Sequence, residues 1–301
     1  MRNLIKPKIK SWVGHSLILL LGATWGISNG TAEETPKAKC KTPVRTTAEK
    51  LQSEAVFNAA SRQASKTFPP PNQPITIPVR FHIIYKVVSG ETLGNLSNAA
   101  IKNQITALNY AYQGSGFKFS LAGIERVRNS EWFDQCLDND ALEAVYKNQL
   151  AIDPAHQLNA YTCDSPIRGL LGFATFPDDY PESSPMHGVV LNYASFPGGT
   201  EPYGEGDTAV HEVGHYLGLY HTFDDNRTSC VDNDLVGDTA IERTPNFDCP
   251  LQRDTCTAKL GKDPIANYMD YGTDACLTGF TLGQITRMQT QVLAFKPALV
   301  P

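Results

Sequence analysis

The stretch that decides the fold is HEVGHYLGLYH, residues 211–221, which matches the spacing H-E-x-x-H-x-x-G-x-x-H without a mismatch. Residues four apart share one face of a helix, so His211 and His215 can bind the same metal ion. Gly218 permits a positive φ, which lets the chain leave the helix and bring His221 back to that ion. The stretch therefore predicts a helix that carries a three-histidine metal site.

Three neutral imidazoles bind Zn²⁺ and leave a fourth position open for water, which is the geometry of a catalytic zinc site. Glu212 follows the first ligand and can accept a proton from that water. The alternative is an ordinary core helix with histidines on a polar face. The whole pattern arises by chance in roughly one chain of this length in a hundred thousand, so we favour the zinc site.

Other blocks of sequence narrow this prediction to one family. The zinc stretch continues as HTF to residue 223, NYMDY occupies 267–271, and FTLGQ occupies 280–284. Upstream, GLLGFATFP occupies 169–177 and GVVL occupies 188–191. Together these blocks resemble the pappalysin family of metzincin zinc peptidases, and in particular its small members. The resemblance covers roughly the last two-thirds of the chain.

The resemblance implies an α+β fold of the metzincin type. A twisted mixed sheet and the zinc helix would form the upper half. The lower half would be rich in loops, held by disulfides, and end in a C-terminal helix. The resemblance also implies that Met269 is a hydrophobic floor below the metal, Tyr271 a donor to the developing oxyanion, and Asp274 a selector of basic side chains after the cleaved bond. Each could instead be an ordinary packing or surface residue.

Seven cysteines predict an oxidising compartment. Four of them bracket the loops between the zinc helix and NYMDY, and sequence alone allows three connectivities for four cysteines. The resemblance implies the pairs Cys230–Cys256 and Cys249–Cys276, and Cys136 and Cys163 could form a third bridge. No C-x-x-C spacing favours zinc binding by these residues.

Cys40 lies in KAKCKTP, residues 37–43, which resembles the pro-segment cysteine of this family, with Lys41 where glycine is usual. Because a thiolate is a good zinc ligand, the resemblance implies that Cys40 occupies the open metal position before activation. The alternative is an unpaired thiol in a flexible tail.

The loop CVDNDLVGDT, residues 230–239, resembles the calcium-binding loop of the small pappalysins, although Ala240 stands where proline is usual. Carboxylate and carbonyl oxygens suit Ca²⁺. The matching candidates are Asp234, Val236 through its carbonyl, Asp238 and Thr239. A solvated acidic loop is the alternative. We therefore expect Zn²⁺ and a structural Ca²⁺ as bound ions.

The N-terminus predicts export. Basic residues within 1–10 precede a short apolar stretch and a small-residue exit, which is typical of a secretory signal peptide over residues 1–32. A membrane anchor needs about 20 apolar residues, more than are present. Polar residues 33–66 predict a pro-segment, and 67–301 the catalytic domain. We expect a secreted monomer, extracellular or periplasmic. A net charge of −5 without a long basic run gives no reason to expect a nucleic-acid partner.

Residue patterns also predict secondary structure. The expected strands cover residues 75–85, 117–124, 158–162, 172–176 and 189–193. The expected helices cover 97–112, 141–150, 208–217 and 281–295, with Ser97 and Thr281 as caps. Metzincin substrates lie along the edge strand of the sheet, and the expected edge is 187–193.

These motifs together predict a secreted zinc endopeptidase that hydrolyses protein or peptide substrates by Glu212-assisted attack of water. Two alternatives remain. One is an inactive secreted binding protein with the same fold. The other is a zinc hydrolase that acts on something other than protein.

Overall fold

The computed structural model describes residues 39–63, 66–70, 72–167 and 169–301. The expected signal peptide, residues 1–32, lies outside them. The helices are α1 (Thr47–Gln63), α2 (Asn98–Ala111), α3 (Ser130–Gln135), α4 (Asp140–Leu150), α5 (Asp207–Tyr216) and α6 (Leu282–Phe295). The strands are β1 (Ile75–Val88), β2 (Glu91–Leu93), β3 (Phe117–Arg128), β4 (Leu158–Cys163), β5 (Gly172–Ala174) and β6 (Val189–Asn192). None of these helices is both long and apolar enough to cross a membrane.

A mixed six-stranded sheet forms the first half of the described domain. Its order is β2-β1-β4-β6-β5, and β3 pairs with β1. Strands β3 and β4 run parallel to β1, and β6 runs parallel to β4, whereas β2 and β5 are antiparallel to their neighbours. The prediction that residues 187–193 form the edge is wrong, because β6 lies between β4 and β5. Every residue of β6 is buried, as in an interior strand. Strand β5 is the outer strand at this end of the sheet.

The predicted elements occur with shifted ends. Strand β3 runs four residues beyond the predicted end at residue 124, to Arg128, and β5 stops at Ala174. Ser97 caps α2 by accepting a hydrogen bond from the backbone of Ala100 at 3.1 Å. Thr281 forms a capping box at the start of α6. Strand β2 and helix α3 were not predicted, because three to six residues are too few to show a period.

Helix α1 lies in the stretch for which the sequence predicted a polar pro-segment and no helix. Its start has a reciprocal contact, in which Thr46 N–H donates to Glu49 Oε2 at 2.7 Å and Glu49 N–H donates to Thr46 Oγ1 at 3.2 Å. Its polar sequence gives little amphipathic pattern. The helix is held instead by contacts to α6, including the ion pair between Glu54 and Arg287.

Helix α5 lies in the main hydrophobic core. Nine of its ten residues are buried, and its apolar side chains join those of the sheet and of α6. The loop-rich second half is held by the disulfides Cys230–Cys256 and Cys249–Cys276, and Cys136–Cys163 joins the end of α3 to β4. These are the pairs that the resemblance and the sequence led us to expect. Disulfides of this loop length stabilise a fold by about 3.5 kcal/mol each. The α+β fold is confirmed.

Candidate metal centre

The three motif histidines converge on one point. His211 and His215 project from α5, and His221 follows after a turn at Gly218, whose φ is +100°. Nε2 of His215 lies 3.1 Å from Nε2 of His211 and 3.1 Å from Nε2 of His221. All three rings are buried. The structure therefore brings together the residues that the sequence predicted as metal ligands.

The outer ring nitrogen of each histidine is held by an acceptor. The contacts are His211 Nδ1 to the Tyr268 carbonyl at 2.7 Å, His215 Nδ1 to the Leu219 carbonyl at 2.7 Å, and His221 Nδ1 to Asp225 Oδ1 at 2.6 Å. With the proton fixed on Nδ1, the Nε2 lone pairs face one another with no proton between them. A cation relieves that repulsion, so these residues fit Zn²⁺. Burial, together with His221, lowers the pKa of His211 to about 3, which keeps this ring neutral as a ligand must be.

Met269 lies directly against the ligand helix. Its side chain is fully buried, and a Cβ built on Gly214 would lie 2.4 Å from Met269 Sδ. Only a glycine at position 214 lets the chain at 267–271 approach α5 so closely. Met269 therefore packs against the helix that carries His211 and His215.

Glu212 is buried beside the histidines. Its Oε2 accepts a hydrogen bond from Thr42 Oγ1 at 3.1 Å and lies 3.3 Å from Cys40 Sγ. Burial raises the pKa of Glu212 to about 8, although hydrogen bonds from Cys40 and Thr42 oppose the shift. A Cβ built on Gly172 would lie 2.9 Å from Glu212 Cγ, so glycine on β5 permits this contact. A carboxylate with a pKa near neutral can both accept and return a proton.

The segment before α1 adds to the outer strand as a parallel partner, through a bridge between Cys40 and Gly172. Lys41 N–H donates to the Gly172 carbonyl at 2.9 Å, and Leu171 N–H donates to the Lys39 carbonyl at 2.7 Å. Cys40 Sγ and one nitrogen from each motif histidine all lie within 4.8 Å of one another. This segment therefore covers both the sheet edge and the metal site.

Lys39 and Asp274 line the same pocket beside the metal site. The Lys39 ammonium donates to the carbonyl of Tyr271 and, at 3.0 Å, to that of Gly272, and it lies 3.6 Å from the centre of the Tyr203 ring. Burial lowers the pKa of Lys39 to about 7, and the charges of nearby aspartates, Asp274 among them, oppose the shift. The charges of Asp270 and Asp274 therefore favour the ammonium form of Lys39.

Asp274 is buried and has a second contact. Its Oδ2 accepts hydrogen bonds from the backbone N–H groups of Glu205 at 2.8 Å and Gly206 at 3.1 Å, just before α5 begins. Carboxylates are stabilising near helix N-termini, where backbone N–H groups lack partners. Asp274 therefore also fixes the start of the helix that carries the histidines.

Tyr271 faces the metal site. Its side chain is buried, and its hydroxyl lies 3.3 Å from the backbone carbonyl oxygen of Cys40. Its ring centre lies 5.1 Å from that of His221. The phenol is thus within hydrogen-bond distance of a peptide carbonyl next to the three histidines.

In the loop predicted to bind calcium, some candidate ligand atoms have hydrogen-bond partners and others have none among the described residues. Asp234 Oδ1 accepts a hydrogen bond from Val236 N–H at 3.1 Å. The other Asp234 oxygen and Thr239 Oγ1 are buried and have no hydrogen-bond partner among the described residues. Asp238 instead accepts a hydrogen bond from Thr281 Oγ1 at 2.7 Å and so ties the loop to the start of α6.

Sequence patterns did not single out several residues that line the site. Lys39, Thr42 and Tyr203 lie in the cleft, and Asp225 orients His221. Lys39 and Thr42 stand in KAKCKTP, where the sequence drew attention only to Cys40 and Lys41, and Tyr203 and Asp225 stand in no motif. Their roles depend on contacts between distant parts of the chain.

Comparisons with known proteins agree with this geometry. The family model described as Pregnancy-associated plasma protein-A matches residues 144–293. An extracellular metalloprotease of Arthroderma benhamiae is 40% identical over 240 residues, which cover 78% of this chain and 77% of that protein.

Two solved structures from Tannerella forsythia share the fold. A promirolysin mutant has a TM-score of 0.72 and 27% identity, over 87% of this chain and 97% of its own. Mature mirolysin in complex with a cleaved peptide has a TM-score of 0.65 and 29% identity, over 75% of this chain and 97% of its own. The chain belongs to the Pregnancy-associated plasma protein-A family and is a zinc metallopeptidase.

Proposed function

We propose that this metallopeptidase is a secreted endopeptidase whose zinc is held by His211, His215 and His221. The convergence of their three Nε2 atoms beside Glu212 carries the proposal. The acceptors on each Nδ1 support it, because such contacts orient ligand rings and raise their basicity. The cleaved peptide bound to mature mirolysin supports a peptide substrate.

The chemistry follows from the groups around the histidines. Bound zinc supplies Lewis-acid activation of water and of the scissile carbonyl. Glu212 accepts the proton of the attacking water and passes it to the leaving nitrogen, and its burial beside the three histidines supports this role. Tyr271 donates its hydroxyl hydrogen to the carbonyl oxygen as negative charge develops there. Its contact with the Cys40 carbonyl supports this role.

The pocket of Asp274 would select a basic residue directly after the cleaved bond. The bound ammonium of Lys39 supports this, since it is a basic side chain held beside the metal site. Asp274 would contribute its charge, and the carbonyls of Tyr271 and Gly272 would accept the hydrogen bonds.

Residues 33–66 would be a pro-segment, with Cys40 as the fourth zinc ligand. The position of Sγ among the histidines supports this, as does the larger share of the chain that aligns with promirolysin than with mature mirolysin. Cys40→Ala should shorten the lag before the precursor becomes active. Ser61→Ala, which changes a contact within α1, should keep the lag. An unchanged lag in Cys40→Ala would remove the proposed role.

Ca²⁺ would bind at the loop of Asp234, Val236 and Thr239, and the unpartnered buried oxygens of Asp234 and Thr239 support this. Asp238 would contribute less directly, since it is engaged at the start of α6. Export would depend on residues 1–32, and the extracellular relatives support it. The catalytic domain would begin near residue 67 and act as a monomer.

One experiment tests the catalytic proposal. The full-length chain is incubated with zinc and an unfolded protein, with and without a chelator, beside Glu212→Ala and the control Glu91→Ala, a change on the exposed strand β2. We expect cleavage by wild type and control only, and none with the chelator. A wild type that does not cut even after its pro-segment has been released would favour an inactive binding protein. An active Glu212→Ala would show that this residue is not the proton acceptor.

A further inference from the structure

Arg45 lies in the segment between Cys40 and α1, and its guanidinium group contacts several side chains. Arg45 Nη1 and Nη2 each lie 2.8 Å from one oxygen of Asp178, and Nη2 lies 2.5 Å from Asp179 Oδ1. The guanidinium lies 4.6 Å from the centre of the Phe176 ring, and Nη1 lies 3.3 Å from the Tyr220 hydroxyl. The Arg45 side chain is only 13% exposed. Paired carboxylate contacts with ring stacking match a planar guanidinium better than an ammonium.

This guanidinium site continues the substrate edge of the sheet. Strand β5 ends at Ala174, and the chain that follows it carries Phe176 and Asp178. Ala174 N–H donates to Thr42 Oγ1 at 2.9 Å, three residues before Arg45. The segment therefore leads along the sheet edge from the metal site to the guanidinium site.

The guanidinium site and the Lys39 pocket lie on opposite sides of Cys40 along the bound segment. The Lys39 pocket is the one proposed to take the residue after the cleaved bond. The site of Arg45 therefore faces the residues before that bond. Arg45 is five residues from Cys40, which is about 16 Å of extended chain. A substrate residue three to five positions before the cleaved bond would reach it.

We propose that Asp178 and Asp179, with the rings of Phe176 and Tyr220, form a second substrate subsite, which binds an arginine three to five residues before the cleaved bond. The inference rests on the proposed function, since it requires the pro-segment to leave. When Arg45 leaves, the two adjacent carboxylates of Asp178 and Asp179 lose the cation that pairs with both of them. Repulsion between the two like charges raises the free energy of the empty site. A substrate guanidinium would restore the ion pairs that Arg45 made.

Burial opposes ionisation of both carboxyl groups, but their pKa values shift in opposite directions. Burial opposes ionisation of Asp178, yet hydrogen bonds from Arg45 and Ser53 hold its pKa below the ordinary value. Burial raises the pKa of Asp179 even with Arg45 beside it. The ionised forms of both carboxyl groups are therefore more stable when a cation is present.

Peptide pairs test the subsite. The full-length chain is loaded with zinc and left until its pro-segment is released. It then receives peptides with lysine after the cleaved bond and either arginine or citrulline at one position, from the second to the fifth residue before that bond. Citrulline keeps the shape of arginine without its charge. We expect kcat/KM to be about tenfold higher for arginine at one of the distant positions, as for a hydrogen bond between charged groups.

Variants then test whether Asp178 and Asp179 cause the preference for arginine over citrulline. Asp178→Asn should bring the arginine-to-citrulline ratio close to one, and Asp179→Asn carries the same test if Asp178→Asn yields no folded protein. The control Asp140→Asn also removes an acid that pairs with the bound segment, through Lys41, but this acid is 83% exposed, so the ratio should persist. Equal rates for arginine and citrulline at every position, or a ratio that survives in both Asp178→Asn and Asp179→Asn, would overturn the inference and leave Arg45 as an anchor only. A wild type that cuts no peptide would instead count against the proposed function.

Discussion

Asp225 should control how tightly the third histidine holds zinc. Its Oδ1 lies 2.6 Å from His221 Nδ1, and its Oδ2 lies 3.2 Å from Lys50 Nζ and accepts a hydrogen bond from Asn233 at 3.1 Å. The side chain is 6% exposed. Burial opposes its ionisation, but His221 and Lys50 hold the pKa of Asp225 well below its ordinary value, so it is a carboxylate at neutral pH.

The structure sets the size of the effect. Asp225→Ala removes the acceptor that fixes the proton on Nδ1 of His221, so we expect about 100-fold weaker zinc binding, or about 2.7 kcal/mol. Asp225→Asn keeps a carbonyl oxygen at the same distance from His221 but loses the charge. We therefore expect about tenfold weaker zinc binding, or about 1.4 kcal/mol.

A zinc-affinity measurement on the full-length chain, by competition with a chromogenic chelator, checks both values. The control is Glu91→Ala, which removes an exposed acid on strand β2 without changing a ligand or the bound segment. Its zinc affinity should equal that of wild type. The reasoning fails if Asp225→Ala stays within about twofold of wild type, or if the control weakens zinc binding as much.

Three further changes have defined outcomes. Gly214→Ala should lower the free energy of unfolding by about 1–3 kcal/mol, because its Cβ would lie 2.4 Å from Met269 Sδ, and an unchanged melting temperature would contradict this. Burial lowers the pKa of Lys296 from 10.5 to about 7, so the wild type loses stability as pH falls through that range. Lys296→Met should therefore melt at a higher temperature than wild type at pH 6, with a gain that shrinks towards pH 10.5; a gain that is equal across a pH series would show another cause. Added Ca²⁺ should raise the melting temperature of wild type but not of Asp234→Ala, and an equal rise in both would place the calcium site elsewhere.

The metal site could be predicted because its ligands are close in sequence. His211 and His215 are one helical turn apart, and Gly218 provides the turn that returns His221. Such short spacings are fixed by helix geometry and by the backbone freedom of glycine, whatever the rest of the chain does. The caps Ser97 and Thr281 were predictable for the same reason.

The parts that sequence missed depend on pairing between distant segments. Residues 187–193 contain an apolar run that fits an edge or an interior strand, and only the pairing of β6 with both β4 and β5 makes it interior. Helix α1 has little amphipathic pattern, and its contacts with α6 hold it in place. Neither contact leaves a periodic signal in the sequence.

The sequence alone determined the candidate metal centre, since the three histidines, Glu212 and the turn at Gly218 lie within eleven consecutive residues, 211–221. Only the tertiary structure decided which residues from distant parts of the chain lie beside that centre. Lys39, Cys40 and Arg45 reach their partners across more than a hundred residues of chain, through strand addition, burial and ion pairing. Those contacts form only after the sheet and helices have packed, because each joins surfaces that have no fixed relation in the unfolded chain.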